Sequence, residues 1–437
     1  MTRVRGTAVV IGAGVVGSAV GLELARRGWT TTIVDRGAGP GHGSTAASSA
    51  VVRFTYSTVA GTAMAYEGGA WWECWADHVG LPPGTALTTF VQCGVLMFED
   101  PSGAASASVR TLDQVGVPYE WWTVDELERR LPHLATGSWY PPTAVTDERF
   151  GADAERRLGG ALYTPGGGYV ADPQLAAQNL ADAAVAAGAV VRVRAEVTGV
   201  EQRDGRVRGV TLSNGEFVAA DVVVNAAGPH SAVVNRRARV LDDMAVATRP
   251  LRQQVAHVRV PDDFENVVAH HPAIADLDGG IYLRPDTHAF LVGGVEAPCD
   301  PLVWLDEPDD LDLALSGDEW EAHVMRLARR MPGIGVPHER RGVVGVYDVS
   351  DDWMPILDRS SLDGFFMAVG TSGNQFKNAP IIGHCMAELI EAVDDGLDHD
   401  REPLVVRGPR RCVDIDLGAF SRRRSVAADQ LARGVLG

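Results

Sequence analysis

Short apolar blocks alternate with helical periods along this chain, and the alternation starts near its beginning. Thr7–Ile11, Thr-Ala-Val-Val-Ile, predicts a short buried strand. Gly12–Gly17 predicts a turn, Ser18–Arg27 a helix closed by Gly28, and Thr30–Val34 a second strand ending at Asp35. A right-handed crossover would make these two strands parallel neighbours. Gly37–Ser49 is Gly/Ser/Ala-rich and predicts a loop. Trp71, Trp72 and Trp75 fall at helical spacing and read as a core face. Asp172–Gly188 predicts a helix capped by Asp172, with Pro173 in its first turn. Val190–Val200, Val207–Leu212 and Phe217–Val224 predict successive strands, two of them joined by Arg203-Asp204-Gly205. Leu251–Val260 and Gly280–Val295 predict strands of a second sheet, and the acidic stretch Asp300–Asp312 a solvated loop. Ser316 and Glu319 predict a capping box for a helix with the apolar stripe Trp320, Val324, Leu327 and Met331, ended by Pro332. Phe365–Val369 predicts a strand, Gly370–Phe376 a Gly-rich turn, and Ala379–Val393 a helix.

At 437 residues the chain has room for two or three structural units, and 46% apolar content suits an α/β protein. The net charge is −18 with no basic stripe, which argues against nucleic acid as a partner. Lys377 is the one lysine among 39 basic residues, a scarcity that codon bias in a GC-rich genome would produce. The five cysteines (Cys74, Cys93, Cys299, Cys385 and Cys412) are scattered without a CxxC, so neither a disulfide framework nor a metal site is expected. The run Thr7–Ala25 carries glycines at functional spacing and does not read as a signal peptide. No stretch is apolar enough for a membrane span, and a reducing cytoplasm is the expected location.

Gly12-Ala13-Gly14-Val15-Val16-Gly17 is a G-x-G-x-x-G between a strand and a helix. Gly12 suits the tight turn, Gly14 the approach of a pyrophosphate to backbone, and Gly17 close helix–strand packing. The helix N-terminus offers N–H groups to phosphates. Asp35, followed by Arg36, stands where a carboxylate can accept hydrogen bonds from a ribose. The motif alone leaves NAD and FAD both open.

Three further segments narrow the choice: Gly166–Pro173 (GGGYVADP), Asp221–Pro229 (DVVVNAAGP) and Phe365–Pro380 (FFMAVGTSGNQFKNAP). Together with the first motif they resemble the glycine oxidase/sarcosine oxidase/D-amino-acid oxidase family of FAD enzymes, from Thr7 to about Leu389. The resemblance implies a Rossmann-like FAD-binding domain, discontinuous over 1–58, 155–235 and 340–400. An inserted α+β substrate domain on an antiparallel sheet would take 59–154 and 236–339, leaving 401–437 as a C-terminal tail. It implies FAD contacts at Ser44, Thr45, Val197, Ala227 and Gly228, and in the loop Gly370, Ser372, Gly373, Asn374, Gln375, Phe376 and Lys377. Arg53 and Lys377 match an arginine and a lysine that hold a substrate carboxylate, and a guanidinium suits bidentate bonding to that group. Tyr56, Tyr282 and Tyr347 are placed around the substrate.

What the resemblance implies is oxidation of an amino acid or N-alkyl amino acid to an imine by hydride transfer to flavin N5, with oxygen giving hydrogen peroxide. The alternatives are an amine dehydrogenase that passes electrons to another acceptor, and a non-catalytic FAD-binding protein. A nicotinamide dehydrogenase and a monooxygenase fed by NAD(P)H rank lower. Several positions depart from the sarcosine-oxidase pattern. Ala46 and Ala50 replace a histidine and an arginine. Gly345 stands where the covalent branch has its cysteine, so noncovalent FAD is expected. Phe290–Gly293 lacks the lysine used with oxygen, and Gly280–Pro285 is more similar to the dimethylglycine-dehydrogenase branch.

Overall fold

In the computed structural model, which describes residues 5–426, the opening strand–turn–helix forms as its pattern predicts. Thr7–Ile11 lies at the middle of a six-stranded sheet. The strand order is Val190–Arg192, Thr30–Val34, Thr7–Ile11, Val222–Asn225, Phe365–Val369 and Ile356–Arg359. The first five strands run parallel and Ile356–Arg359 is antiparallel at the edge. Val222–Asn225 and Phe365–Val369 are buried at every position because both faces of the sheet are covered. Ala8 and Val10 face one core; Val9 and Ile11 face another. Helix Val15–Arg26 packs on the first face against Pro173–Ala186 and Ala379–Asp394. A small sheet of Val197–Arg203, Arg206–Leu212 and Phe217–Ala219 covers the second.

Two expected strands each divide. Val190–Val200 becomes Val190–Arg192 and Val197–Arg203, and Phe217–Val224 becomes Phe217–Ala219 and Val222–Asn225. Each pair has one member in the main sheet and one in the small sheet. The chain crosses between layers at Arg194, whose φ of 51° breaks the extended run.

The second sheet has nine strands. Eight follow the order Val303–Trp304, Thr248–Arg259, Ala289–Gly294, Ile281–Asp286, Ala273–Asp276, Val95–Phe98, Ala161–Thr164 and Glu120–Trp122; Gly342–Ser350 pairs with Thr248–Arg259. It is antiparallel except where Ala273–Asp276 runs parallel to Val95–Phe98. Ala161–Thr164 and Gly342–Ser350, which the division by sequence assigns to the dinucleotide-binding unit, hydrogen-bond into this sheet. Helix Gly317–Arg330 covers it with Trp320, Val324, Leu327 and Met331. Its capping box is half formed. Ser316 Oγ accepts from Glu319 N–H at 3.4 Å, but the Glu319 carboxylate accepts from Arg252 Nη1 at 2.7 Å instead of reaching back. Asp300–Asp312 is not simply a solvated loop. Val303–Trp304 joins the sheet, and Asp300 pairs with the buried Arg326.

The chain beyond 400 is tied to the body as far as it is described. Arg422 is fully buried, with its guanidinium on Asp358 at 3.0 Å and Asp400 at 2.7 Å. The rest of the expected tail, 427–437, lies outside the described residues. Among the described residues, 5–426, no helix is long and apolar enough to cross a membrane.

Candidate active site

A cavity of about 790 Å³ runs from the Gly12–Gly17 turn to the larger sheet. At its first end the glycines are required by contact. A Cβ on Gly12 would lie 2.3 Å from the Ala226 carbonyl oxygen, and one on Gly17 would lie 1.9 Å from that of Gly12. Gly14 is the N-cap of helix Val15–Arg26 and, as glycine, offers no capping side chain of its own. Thr45 Oγ1 accepts from Val15 N–H at 3.1 Å. A helix N-terminus opening on a cavity, with one N–H taken by Thr45, fits a pyrophosphate through its other N–H groups and its dipole. Asp35 braces the turn, accepting from Ala13 N–H and Gly37 N–H at 2.6 Å each, and its carboxylate also borders the cavity.

Gly12, Gly14, Val15, Val16, Asp35, Arg36, Ser44, Thr45, Val197, Ala227 and Gly228 all line this half. Gly17 stands behind it and serves packing alone. Arg36 borders the cavity with its guanidinium engaged by Asp309 at 2.8 Å, and this bond holds the Asp309 carboxyl down at about 2. Asp309 comes from the acidic stretch, so part of that stretch borders the cavity. Ser44 Oγ donates to Val346 O at 2.6 Å and joins this loop to strand Gly342–Ser350.

The other end is organised by the loop that follows Phe365–Val369. Its backbone turns through positive φ at Gly370, Ser372 and Gly373 (65°, 47° and 69°). Asp348, buried in strand Gly342–Ser350, pins it: Gly370 N–H donates to Asp348 Oδ2 at 2.6 Å, and Ser372 N–H to Asp348 O at 2.7 Å. Ser231 Oγ donates to Asp348 Oδ1 at 2.7 Å. Gly373 must be glycine because a Cβ there would enter the Tyr347 ring at 2.3 Å. Gly373, Asn374, Gln375, Phe376 and Lys377 line the cavity; Gly370 and Ser372 lie behind it as the turn that aims them.

Arg53 and Lys377 meet here. Both are buried cavity residues, 6% and 2% exposed. The Arg53 guanidinium carbon lies 4.5 Å from the Tyr56 ring centroid and Lys377 Nζ lies 4.9 Å from it. Lys377 Nζ donates to Asn374 O at 2.6 Å, and Tyr56 OH donates to the same oxygen at 2.8 Å. Arg53 Nη1 donates to Thr55 O. Burial holds the Lys377 ammonium well below its ordinary value, and the Arg53 charge pushes it the same way. Tyr282 and Tyr347 line the cavity, with Tyr282 OH 2.8 Å from Ser49 Oγ. Burial pushes both phenols up, so both stay protonated. Tyr56 does not reach the wall. It lies beneath the two cations as their platform, one layer behind the residues that line the cavity.

Helix Val59–Glu73 supports the lysine from behind. Trp72 Nε1 donates to Lys377 O at 2.7 Å, and its ring stacks 5.5 Å from Phe376. The tryptophans are core, as their spacing implies, and they also set the height of the lysine loop. Asp348, Ser231, Ser49 and Gln253 are absent from the sequence assignment. A charge inside the apolar run Gly342–Ser350 was the available signal for Asp348.

Burial lifts the Asp348 carboxyl to about 7. A carboxyl raised in the folded state holds its proton where the unfolded chain has lost it, so stability falls as pH rises from about 4 to about 7. Asp348→Asn should flatten that slope. Wild type is expected to lose up to about 1.4 kcal/mol per pH unit relative to the variant in this window. Thermal unfolding of both proteins at several pH values checks it, and parallel curves would count against it.

A family model described as FAD-dependent oxidoreductase, DAO, matches residues 7–389. The chain belongs to the DAO family of FAD-dependent oxidoreductases. A glycine oxidase from Geobacillus kaustophilus is 25% identical over 396 residues, covering 89% of this chain and 94% of that one. A monomeric sarcosine oxidase from a Bacillus species is 25% identical over 399 residues, covering 90% and 94%. Among solved structures, L-proline dehydrogenase from P. horikoshii superposes with a TM-score of 0.74 at 20% identity, covering 95% of this chain and 96% of that one. The glycine oxidase of G. kaustophilus superposes at 0.72 and 22% identity, covering 97% and 99%. This DAO-family protein is an FAD-dependent oxidoreductase of the amino-acid oxidase type, and the helix N-terminus, the glycine cradle and the long cavity fit FAD.

Proposed function

We propose that this protein oxidises the C–N bond of a carboxylate-bearing amine, an amino acid or N-alkyl amino acid. The observation that carries the reading is the pair of buried cations that line the cavity, Arg53 and Lys377, stacked on the one tyrosine ring behind them. A substrate carboxylate received by both would gain charge-assisted bonds and offset their mutual repulsion. With that end held, the carbon bearing the amine is oriented and a loose encounter becomes a fixed geometry. Tyr282 and Tyr347 offer ring faces and O–H donors to the rest of the substrate. When bound, FAD supplies the acceptor for a hydride from the carbon beside nitrogen, leaving an imine that water hydrolyses. The six-stranded sheet would serve as the FAD-binding unit and the nine-stranded sheet as the substrate unit, in the cytoplasm.

Among the described residues no cysteine borders the cavity, and Gly345 does, so FAD is held without a thioether. Acid precipitation should leave all the flavin in the supernatant; flavin pelleting with protein would contradict this.

Reoxidation by oxygen, giving hydrogen peroxide, is the first reading for the acceptor. One observation favours the second, a dehydrogenase that delivers electrons to another carrier. Strand Ala289–Gly294 brings no cation to the cavity, and the Tyr282 ring lies where a Cβ on Gly293 would be, 2.5 Å away. A positive charge at that strand would stabilise the anion formed when oxygen takes an electron. The test is anaerobic reduction by a panel of amines and amino acids, followed by air. Rapid return of the flavin colour marks an oxidase and slow return a dehydrogenase. A flavin that no amine bleaches would mark a non-catalytic protein.

A further inference from the structure

The acidic segment 306–313 spans from one sheet to the other. Both of its ends are fixed to strand Thr248–Arg259 of the larger sheet. Before it, Val303–Trp304 pairs with Leu251 and Arg252, and Leu305 N–H donates to Pro250 O at 3.0 Å. After it, Arg252 Nη2 donates to Ala314 O at 2.9 Å, and Ser316 N–H donates to Gln254 Oε1 at 2.7 Å. The middle is fastened elsewhere. Arg36 Nη1 donates to Asp309 Oδ2 at 2.9 Å and Arg36 Nη2 to Asp309 Oδ1 at 2.8 Å, while His230 Nε2 lies 3.0 Å from Asp309 Oδ1. Glu307 Oε1 lies 3.7 Å from Arg236 Nη1. Arg36 follows strand Thr30–Val34, and His230 and Arg236 follow Val222–Asn225, so these anchors belong to the six-stranded sheet.

Between its two ends the segment borders the cavity with Pro308, Asp309, Leu311 and Leu313, beside Asp35 and Arg36. Leu313 is 71% exposed, more than any other large apolar side chain described. A ligand that fills this end of the cavity would take it out of water, which is favourable. The clasp faces solvent, with the Arg36 side chain 47% and that of Asp309 61% exposed. Ion pairs this open are individually weak, and segments held by them open locally at small cost. The middle can therefore lift while both ends stay on their strand.

We propose that segment 306–313 is a strap that retains FAD: the clasp of Arg36, Asp309 and His230 closes it over the Asp35 end of the cavity, and it must lift for FAD to enter or leave. The inference rests on FAD being held without a covalent bond. It gives Arg36 the task of fastening the strap, and it makes the larger sheet a part of the cofactor site.

The test measures how fast the FAD-loaded protein loses its cofactor. After dilution, flavin absorbance passing an ultrafiltration membrane at timed intervals gives the release rate. Asp309→Asn keeps the shape of the side chain and removes its charge. It should release FAD about three- to tenfold faster than wild type at low salt, and the gap should close as salt is raised, because exposed ion pairs are screened. Asp414→Asn is the control. It breaks the Arg407–Asp414 pair, 2.9 Å long, similarly exposed and outside the cavity, and should release FAD at the wild-type rate. Equal release by wild type and Asp309→Asn, a gap that salt leaves unchanged, or a matching acceleration in Asp414→Asn would each overturn the strap. Flavin that stays with acid-precipitated protein would overturn the premise of noncovalent binding, and the strap's role with it.

Discussion

Lys377→Met should lower the rate of flavin reduction by a carboxylate-bearing amine by about ten- to a hundredfold and raise its KM, without loss of fold. One charge-assisted bond to a substrate is worth roughly 1.5–3 kcal/mol, which gives that range. Methionine keeps the length of the side chain, and the bond from Trp72 goes to the Lys377 backbone, so the loop keeps its support. Burial already works against the ammonium. Removing it should therefore leave the protein as stable as wild type or more stable. A merely structural lysine would show the reverse, lower stability and unchanged reduction. Stopped-flow reduction beside thermal unfolding separates the two.

Gly17→Ala should yield protein largely empty of FAD. The added methyl would lie 1.9 Å from the Gly12 carbonyl oxygen and 3.3 Å from Ala226 Cβ. The helix must then move off the strand, at a cost of about 1–3 kcal/mol or more. That movement carries the helix N-terminus away from where a pyrophosphate would sit. The flavin-to-protein ratio after purification measures it, with the melting temperature alongside. Stoichiometric FAD and unchanged melting would show that Gly17 is not the tight contact described.

These two residues mark how much was legible in the sequence. The Gly12–Gly17 turn is legible because its constraints are local: a strand, three glycines, a helix and Asp35 within one βαβ unit. Lys377 could be singled out by its scarcity and its loop, but its burial depends on Trp72 and Tyr56, which lie over three hundred residues earlier in the chain. Tyr56 is legible only in part. The sequence puts it near Arg53, and only the packing puts its ring beneath both cations. The role of Asp348 is not legible because its partners, Ser231 and Gly370, come from a distant helix and from the following loop. The divided strands at Arg194 and after Ala219 were missed because a run of β-forming residues does not announce a change of sheet.

The central claim is that Arg53 and Lys377 make this a site for carboxylate-bearing amines. The most direct measurement is anaerobic mixing of the FAD-loaded protein with matched pairs, each an amino acid and the same amine without its carboxyl group. At least one amino acid should bleach the flavin while its decarboxylated partner leaves it oxidised at the same concentration. Equal bleaching by both members of every reactive pair would contradict the account.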